Sequence, residues 1–142
     1  MAFNVLIIIQ SRYNSKRLPG KVLLPLNGKP ILSHVFDRAN MIKSNYPILC
    51  AIGKDKNYKK IIKLCESSNI NYYVGPTKNV LKRYYAAYKH FNKKIKFIMR
   101  ITSDCPLIDP YLCNELIKYT IENDLDYASN VSKPLFPQGL DC

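Results

Sequence analysis

Several absences narrow the reading at once. No apolar run is long: the longest purely aliphatic stretch, Val5 to Ile9, is too short for a membrane span or a signal-peptide core. The preceding "MAFN" lacks the cations of a secretory signal, so a cytoplasmic protein is expected. The five cysteines, Cys50, Cys65, Cys105, Cys113 and Cys142, include no CxxC pair, and no histidine stands near enough to complete a zinc pattern. Reduced, mostly buried thiols are the expectation. The loop after the aliphatic run is neither a P-loop, which needs two glycines flanking four residues before Lys-Ser/Thr, nor a GxGxxG dinucleotide fingerprint. There is no internal repeat, low-complexity segment or linker, and 142 residues suit one domain, 1–142.

Acidic residues are the other shortage: 10 Asp and Glu face 22 Lys and Arg, leaving a net charge of +12. Such a balance attracts phosphate of any kind and raises the case of a basic RNA-binding or interaction module. Yet 17 of the 22 cations are lysines spread over several elements, and the run "KDKNYKKIIK" has the character of a solvated helix face. That is a weaker nucleic-acid signature than an arginine stripe interleaved with aromatics, and nucleic acid is disfavoured as a partner.

What the chain does have is alternation. Phe3 to Gln10, "YPILCAIG", "INYYVG", "IKFIMRIT" and "LDYASN" read as five strands. Between them lie helical stretches: one after Pro30 with Ile31, Val35 and Ala39 on a face, and one over Asn57 to Ser67 with Ile61, Ile62, Leu64 and Cys65 inward. A third has Val80, Leu81, Tyr84, Ala87, Tyr88 and Phe91 on one side, and a fourth opens with Asp109 as N-cap and Pro110 at its first position. This order predicts an α/β sandwich with a mainly parallel sheet. His34 and His90 fall inside helices and are not nominated for chemistry.

Ligands of open α/β sheets bind beyond the carboxyl ends of the strands. After the first strand, "QSRYNSKRLPGK" carries Arg12, Lys16, Arg17 and Lys21, and Leu18-Pro19-Gly20-Lys21 fits a type II turn that would aim Lys21. Four cations on one loop suit a polyphosphate; a solvated basic loop is the alternative. After the fourth strand, Asp104 in "RITSDCPLIDP" is either a Mg²⁺ ligand beside bound phosphates or a loop aspartate capping the backbone near Cys105. Arg100 is expected to be a partly buried cation with a carboxylate partner. After the third strand, Thr77 and Asn79 could read a base edge, or Thr77 could cap the following helix.

Taken in order, "IIIQSRYNSKRLPGKVLLPLNGKPIL", "VGPTKNVLKRYYAA", "RITSDCPLIDP", "DYASN" and "FPQGLD" resemble the cytidylyltransferase-like family of sugar nucleotidyltransferases, over nearly all of the chain. Its spore-coat polysaccharide biosynthesis branch, related to the enzymes that activate 3-deoxy-manno-octulosonate and acylneuraminate, is the nearest in pattern. The resemblance implies a Rossmann-like nucleotide-diphospho-sugar transferase fold, a GT-A-like three-layer sandwich. It also implies transfer of CMP from CTP, with Mg²⁺, to a sugar or sugar-acid hydroxyl, releasing pyrophosphate for surface polysaccharide biosynthesis.

By that resemblance Arg12, Arg17 and Lys21, with Ser11 and Ser15, belong to the triphosphate loop, and Asp104 holds the metal. Arg17, Lys21 and Asp104 would carry catalysis, Asn79 and Arg83 would lie near the nucleotide, and Asn130, Gly139 and Asp141 would face the acceptor. Asp141 would be a second metal ligand. Two departures stand out: Gln138 occupies a position usually acidic in the family, and family members continue beyond the position of Cys142. The chain is therefore expected to lack the C-terminal acceptor and dimerisation part, with a homodimer among the expected states. A nucleotide-binding remnant without turnover is the rival within the same fold.

Overall fold

A computed structural model describes residues 5–43, 46–91, 94–131 and 137–142. The strand expected from Phe3 is β1, Val5–Ser11; Phe3 itself lies outside the described residues. Two short strands, β2 (Pro25–Leu26) and β3 (Lys29–Pro30), pair as a small hairpin before helix α1, Ile31–Met41. There follow β4 (Ile48–Gly53), α2 (Lys59–Ser67), β5 (Asn71–Gly75), α3 (Val80–Phe91), β6 (Phe97–Thr102) and α4 (Pro110–Glu122). Among the described residues no helix is long and apolar enough to cross a membrane.

The main sheet has the order β5-β4-β1-β6, and every pairing in it is parallel. β1 and β4 sit in the middle, which is why they read as unbroken apolar runs: each must be covered on both faces. The chain steps outward through β4 to β5 and then returns past β1 to β6. With right-handed crossovers, that reversal moves the connecting helix to the other face. α3 accordingly packs Ala87 on Leu6, Ile8, Leu49 and Ala51, whereas the opposite face gathers Val35, Phe36, Ile61, Cys65, Cys113 and Ile117 from α1, α2 and α4. Three layers result, α3 on one side of the sheet and three helices on the other.

Four expectations are corrected. "LDYASN" is not a strand: residues 125–130 run without ladder pairing, and a cavity of about 420 Å³ lies between them and the β6 edge. With no strand paired to it, the segment's β propensity has no ladder to act on. On α1 the buried residues are Leu32, Val35, Phe36 and Ala39, and Ile31 is only half-buried. On α3, Val80 and Leu81 are exposed and Arg83 takes the buried position, because the first turn of this helix overhangs the sheet's carboxyl edge. Arg100 is exposed on the α3 side of β6, in register with Ile8, and its side chain bonds Tyr84 rather than a carboxylate.

The fourth helix begins as its sequence demands. Asp109 Oδ1 accepts from the backbone N–H groups of Tyr111 (2.7 Å) and Leu112 (3.2 Å), and Pro110 follows at a position that needs no hydrogen bond. Replacing Asp109 by alanine is expected to cost about 1 kcal/mol. A thermal unfolding scan would register this as a loss of roughly 2–4 °C for a chain of this size.

Candidate functional site

β1's neighbours on its two sides, β4 and β6, are reached by chain segments running in opposite directions, so a crevice opens where β1 and β6 end side by side. There Gln10 is in register with Thr102, and the N–H of Ser103 donates to the Gln10 carbonyl at 3.0 Å. The loop after β1 folds over this crevice. Its bend is closed by the Tyr13 carbonyl, which accepts from the N–H groups of Ser15 (3.1 Å) and Gly20 (2.8 Å).

The type II turn forms. Gly20 takes φ 74° and ψ 9°, a conformation that only glycine adopts without strain, and the Lys21 N–H donates to the Leu18 carbonyl at 3.2 Å. A 3-10 turn over Lys21–Leu23 then buries Val22, which anchors the backbone under Lys21. The Lys21 ammonium reaches Asp104 at 2.5 Å, across 83 residues of sequence. Burial alone would push the Asp104 carboxyl up, but the Lys21 hydrogen bond and charge, with a further bond from Thr102, bring it below the ordinary carboxylate range.

A cavity of about 370 Å³ is lined by Arg12, Lys16, Arg17 and Lys21, with Ser15 and Asp104 also on its wall. The four cations are thus not dispersed into solvent; they share one concavity with a single carboxylate among the residues lining it. Four positive charges against one negative leave an excess that a polyanion can neutralise.

The remaining nominated residues are placed differently. Asn79 is the cap of α3, its Oδ1 accepting from the Lys82 N–H at 2.8 Å; Thr77, expected as the alternative cap, leaves its hydroxyl unbonded. Ser11 is buried at the end of β1, and Arg83 is fully buried below the loop after β5. Asn130 clasps the last residues, donating to the Leu140 carbonyl (2.8 Å) and accepting from the Cys142 N–H (3.0 Å). Gly139, at φ 94°, donates to Asp141 Oδ1 at 3.2 Å. Asp141 lines the second cavity, along the outer edge of β6, and Thr102 borders both cavities. Burial pushes the Cys105 thiol up, and Asp141 and Asp104 both add to that shift, but the two carboxylates line different cavities.

Sequence reasoning missed Asp55, just beyond β4. Its Oδ2 accepts from the Asn14 N–H at 2.8 Å and so ties the basic loop to the neighbouring strand end. The only available signal was its place after a buried strand ending in glycine. Among the described residues no three His, Cys, Asp or Glu side chains gather as a metal cage, and all five cysteines are free.

Comparison with known proteins bears on this arrangement. The family model described as cytidylyltransferase matches residues 6–139. An 8-amino-3,8-dideoxy-manno-octulosonate cytidylyltransferase of Shewanella sp. is 30% identical over 122 residues, covering 80% of this chain and 46% of the relative. The spore coat polysaccharide biosynthesis protein SpsF of Bacillus subtilis is 29% identical over 136 residues, 93% of this chain and 56% of its own. The solved structure of a cytidylyltransferase from Leptospira borgpetersenii superposes with a TM-score of 0.89 at 28% identity, covering 98% of this chain and 58% of that one. The chain spans about half the length of the curated relatives it matches.

Proposed function

The chain belongs to the cytidylyltransferase family, and from that premise we propose that it transfers CMP from CTP to a hydroxyl of a sugar or sugar acid, releasing pyrophosphate. The observation that carries the reading is the cavity at the β1/β6 switch point, where Arg12, Lys16, Arg17 and Lys21 converge beside Asp104. The named activity of the Shewanella relative supports a sugar-acid acceptor, and the name of the Bacillus relative supports a role in surface polysaccharide assembly. Free thiols throughout are in keeping with a cytoplasmic setting.

In this reading Arg12, Arg17 and Lys16 hold the triphosphate, and Lys21, fixed by its turn, meets the charge that builds on the departing pyrophosphate. Asp104 is a fitting donor for Mg²⁺: it faces the cavity, is held ionised, and is already paired with a cation, the Lys21 ammonium. One carboxylate with substrate phosphates is an ordinary ligand set for that ion, and when bound it would neutralise phosphate charge. Asp141 would join it only through movement of the segment that Asn130 clasps. No side chain in the cavity is placed as an evident general base, so orientation and charge stabilisation carry the step.

Thermal melting of the chain with CTP, with and without Mg²⁺, tests the reading. At a hundredfold excess over Kd, binding adds about 2.7 kcal/mol, a rise of roughly 5–10 °C, which should need Mg²⁺. Pyrophosphate release on adding sugar acids would then establish transfer. No shift with any nucleoside triphosphate would overturn the proposal, and a shift without pyrophosphate release from any acceptor would reduce it to nucleotide binding.

A further inference from the structure

Two pairs of thiols lie in contact. Cys50 on β4 and Cys65 on α2 hydrogen-bond to one another, and so do Cys113 on α4 and Cys142. The first pair is sealed, both residues being wholly buried in the core between the sheet and the helices. The second pair has one open end. Cys113 is buried in the same core, but Cys142 is only half-buried and lines the outer cavity beside β6, together with Leu116 and Ile117 from the next turn of α4. A small oxidant in that cavity meets Cys142, whereas Cys50 and Cys65 present it no surface.

The backbone around Cys142 is held in place. Asn130 accepts from the Cys142 N–H (3.0 Å) and donates to the Leu140 carbonyl (2.8 Å), while Ser129 Oγ donates to the Cys142 carbonyl (3.2 Å). With the main chain tied on both sides of the side chain, Cys142 packs against the core cluster that contains Cys113. Two sulfurs already in hydrogen-bonding contact need only a small displacement to reach bonded geometry. Cys105, the remaining thiol, is engaged elsewhere, its Sγ lying 2.9 Å from Thr102 Oγ1.

We propose that Cys113 and Cys142 form a reversible disulfide, with a small-molecule disulfide of the glutathione type as the oxidant. Cys142 Sγ attacks one sulfur of the oxidant and forms a mixed disulfide; the oxidant's S–S bond breaks, and the departing thiolate takes up the Cys142 proton. Cys113 Sγ then attacks Cys142 Sγ, the mixed disulfide breaks, and the second small thiol leaves with the Cys113 proton. Two protein thiols are thereby oxidised and one small disulfide is reduced to two thiols. The bond closes a loop from α4 to residue 142, which restricts the unfolded chain, and it ties the segment 137–142, Asp141 included, to α4. In the reducing setting that free thiols suit, such a bond is transient and forms during oxidative episodes.

Treating the full chain with oxidised glutathione, alkylating the remaining thiols after unfolding, and mapping the unreduced peptides by mass spectrometry tests this. A linked Cys113–Cys142 peptide is expected, with Cys50, Cys65 and Cys105 alkylated. The melting temperature should rise by roughly 5–10 °C and fall back on adding dithiothreitol. Cys142→Ser, at a half-buried position, should show neither the linked peptide nor the rise, and Cys113→Ala should stop at the mixed disulfide on Cys142. A mixed disulfide that persists on Cys142 in wild type, a bridge to Cys105, or five alkylated thiols would overturn the inference. So would a linked peptide without a rise in melting temperature, since the bond would then belong to a non-native chain. None of these outcomes depends on the function proposed above.

Discussion

Replacing Lys21 by alanine is expected to slow pyrophosphate release from CTP by roughly 10²–10³-fold, the usual effect of removing one preorganised group from developing charge. The position of Lys21 is unusually well determined: Gly20 sets the turn, Val22 is buried beneath it, and the ammonium sits on Asp104. The fold should be indifferent to the change. The Lys21 and Asp104 side chains are 31% and 39% exposed, and an ion pair that open to solvent contributes at most about 1 kcal/mol to stability. Steady-state release kinetics and a melting curve on the same preparation separate the two effects. A variant with wild-type turnover would remove Lys21 from the catalytic machinery, and one that fails to melt cooperatively would assign it a structural role instead.

The largest effect on stability is expected at Phe36, which lies 2% exposed on α1 and packs into the larger core cluster. Phe36→Ala should destabilise the chain by about 3–5 kcal/mol, combining lost transfer energy with a cavity that its close-packed neighbours only partly fill. Against a total of roughly 0.05–0.15 kcal/mol per residue, that is a large fraction of what holds the domain folded. Urea titration should show the midpoint fall at an unchanged slope. Leu81→Ala is the contrasting case. Leu81 is 79% exposed, so its truncation should change stability by no more than about 0.5 kcal/mol, and a loss of several kcal/mol there would mean that α3 packs through another face.

That contrast shows where sequence reading succeeded and where it did not. Leu81 sits at the right spacing for the apolar face of α3, yet the helix's first turn projects past the end of the sheet. Spacing reports which residues share a face, and only the layers decide how far the partner surface extends. Arg83 reads in sequence as a cation one turn into a helix. Its complete burial depends on β4 and β5 ending in glycines that leave room for it, Gly75 lying 3.0 Å from its Cγ by the same Cβ construction. "LDYASN" has the composition of a strand but pairs with none.

The α/β alternation, the type II turn at Gly20 and the Asp109 cap were all legible in the sequence, because each depends on residues within a few positions of one another, and the family was legible in the order of short motifs along the chain. Their physics is local: allowed backbone angles, a side-chain oxygen reaching two residues on, an apolar run too continuous to face water. Tertiary structure alone decided that four cations and Asp104 share a cavity, that Lys21 meets a carboxylate 83 residues away, and that Thr77 and Arg83 meet beside Gly53. Those contacts exist only once parallel strands distant in sequence are set in register, and register is fixed by packing on both faces of the sheet together.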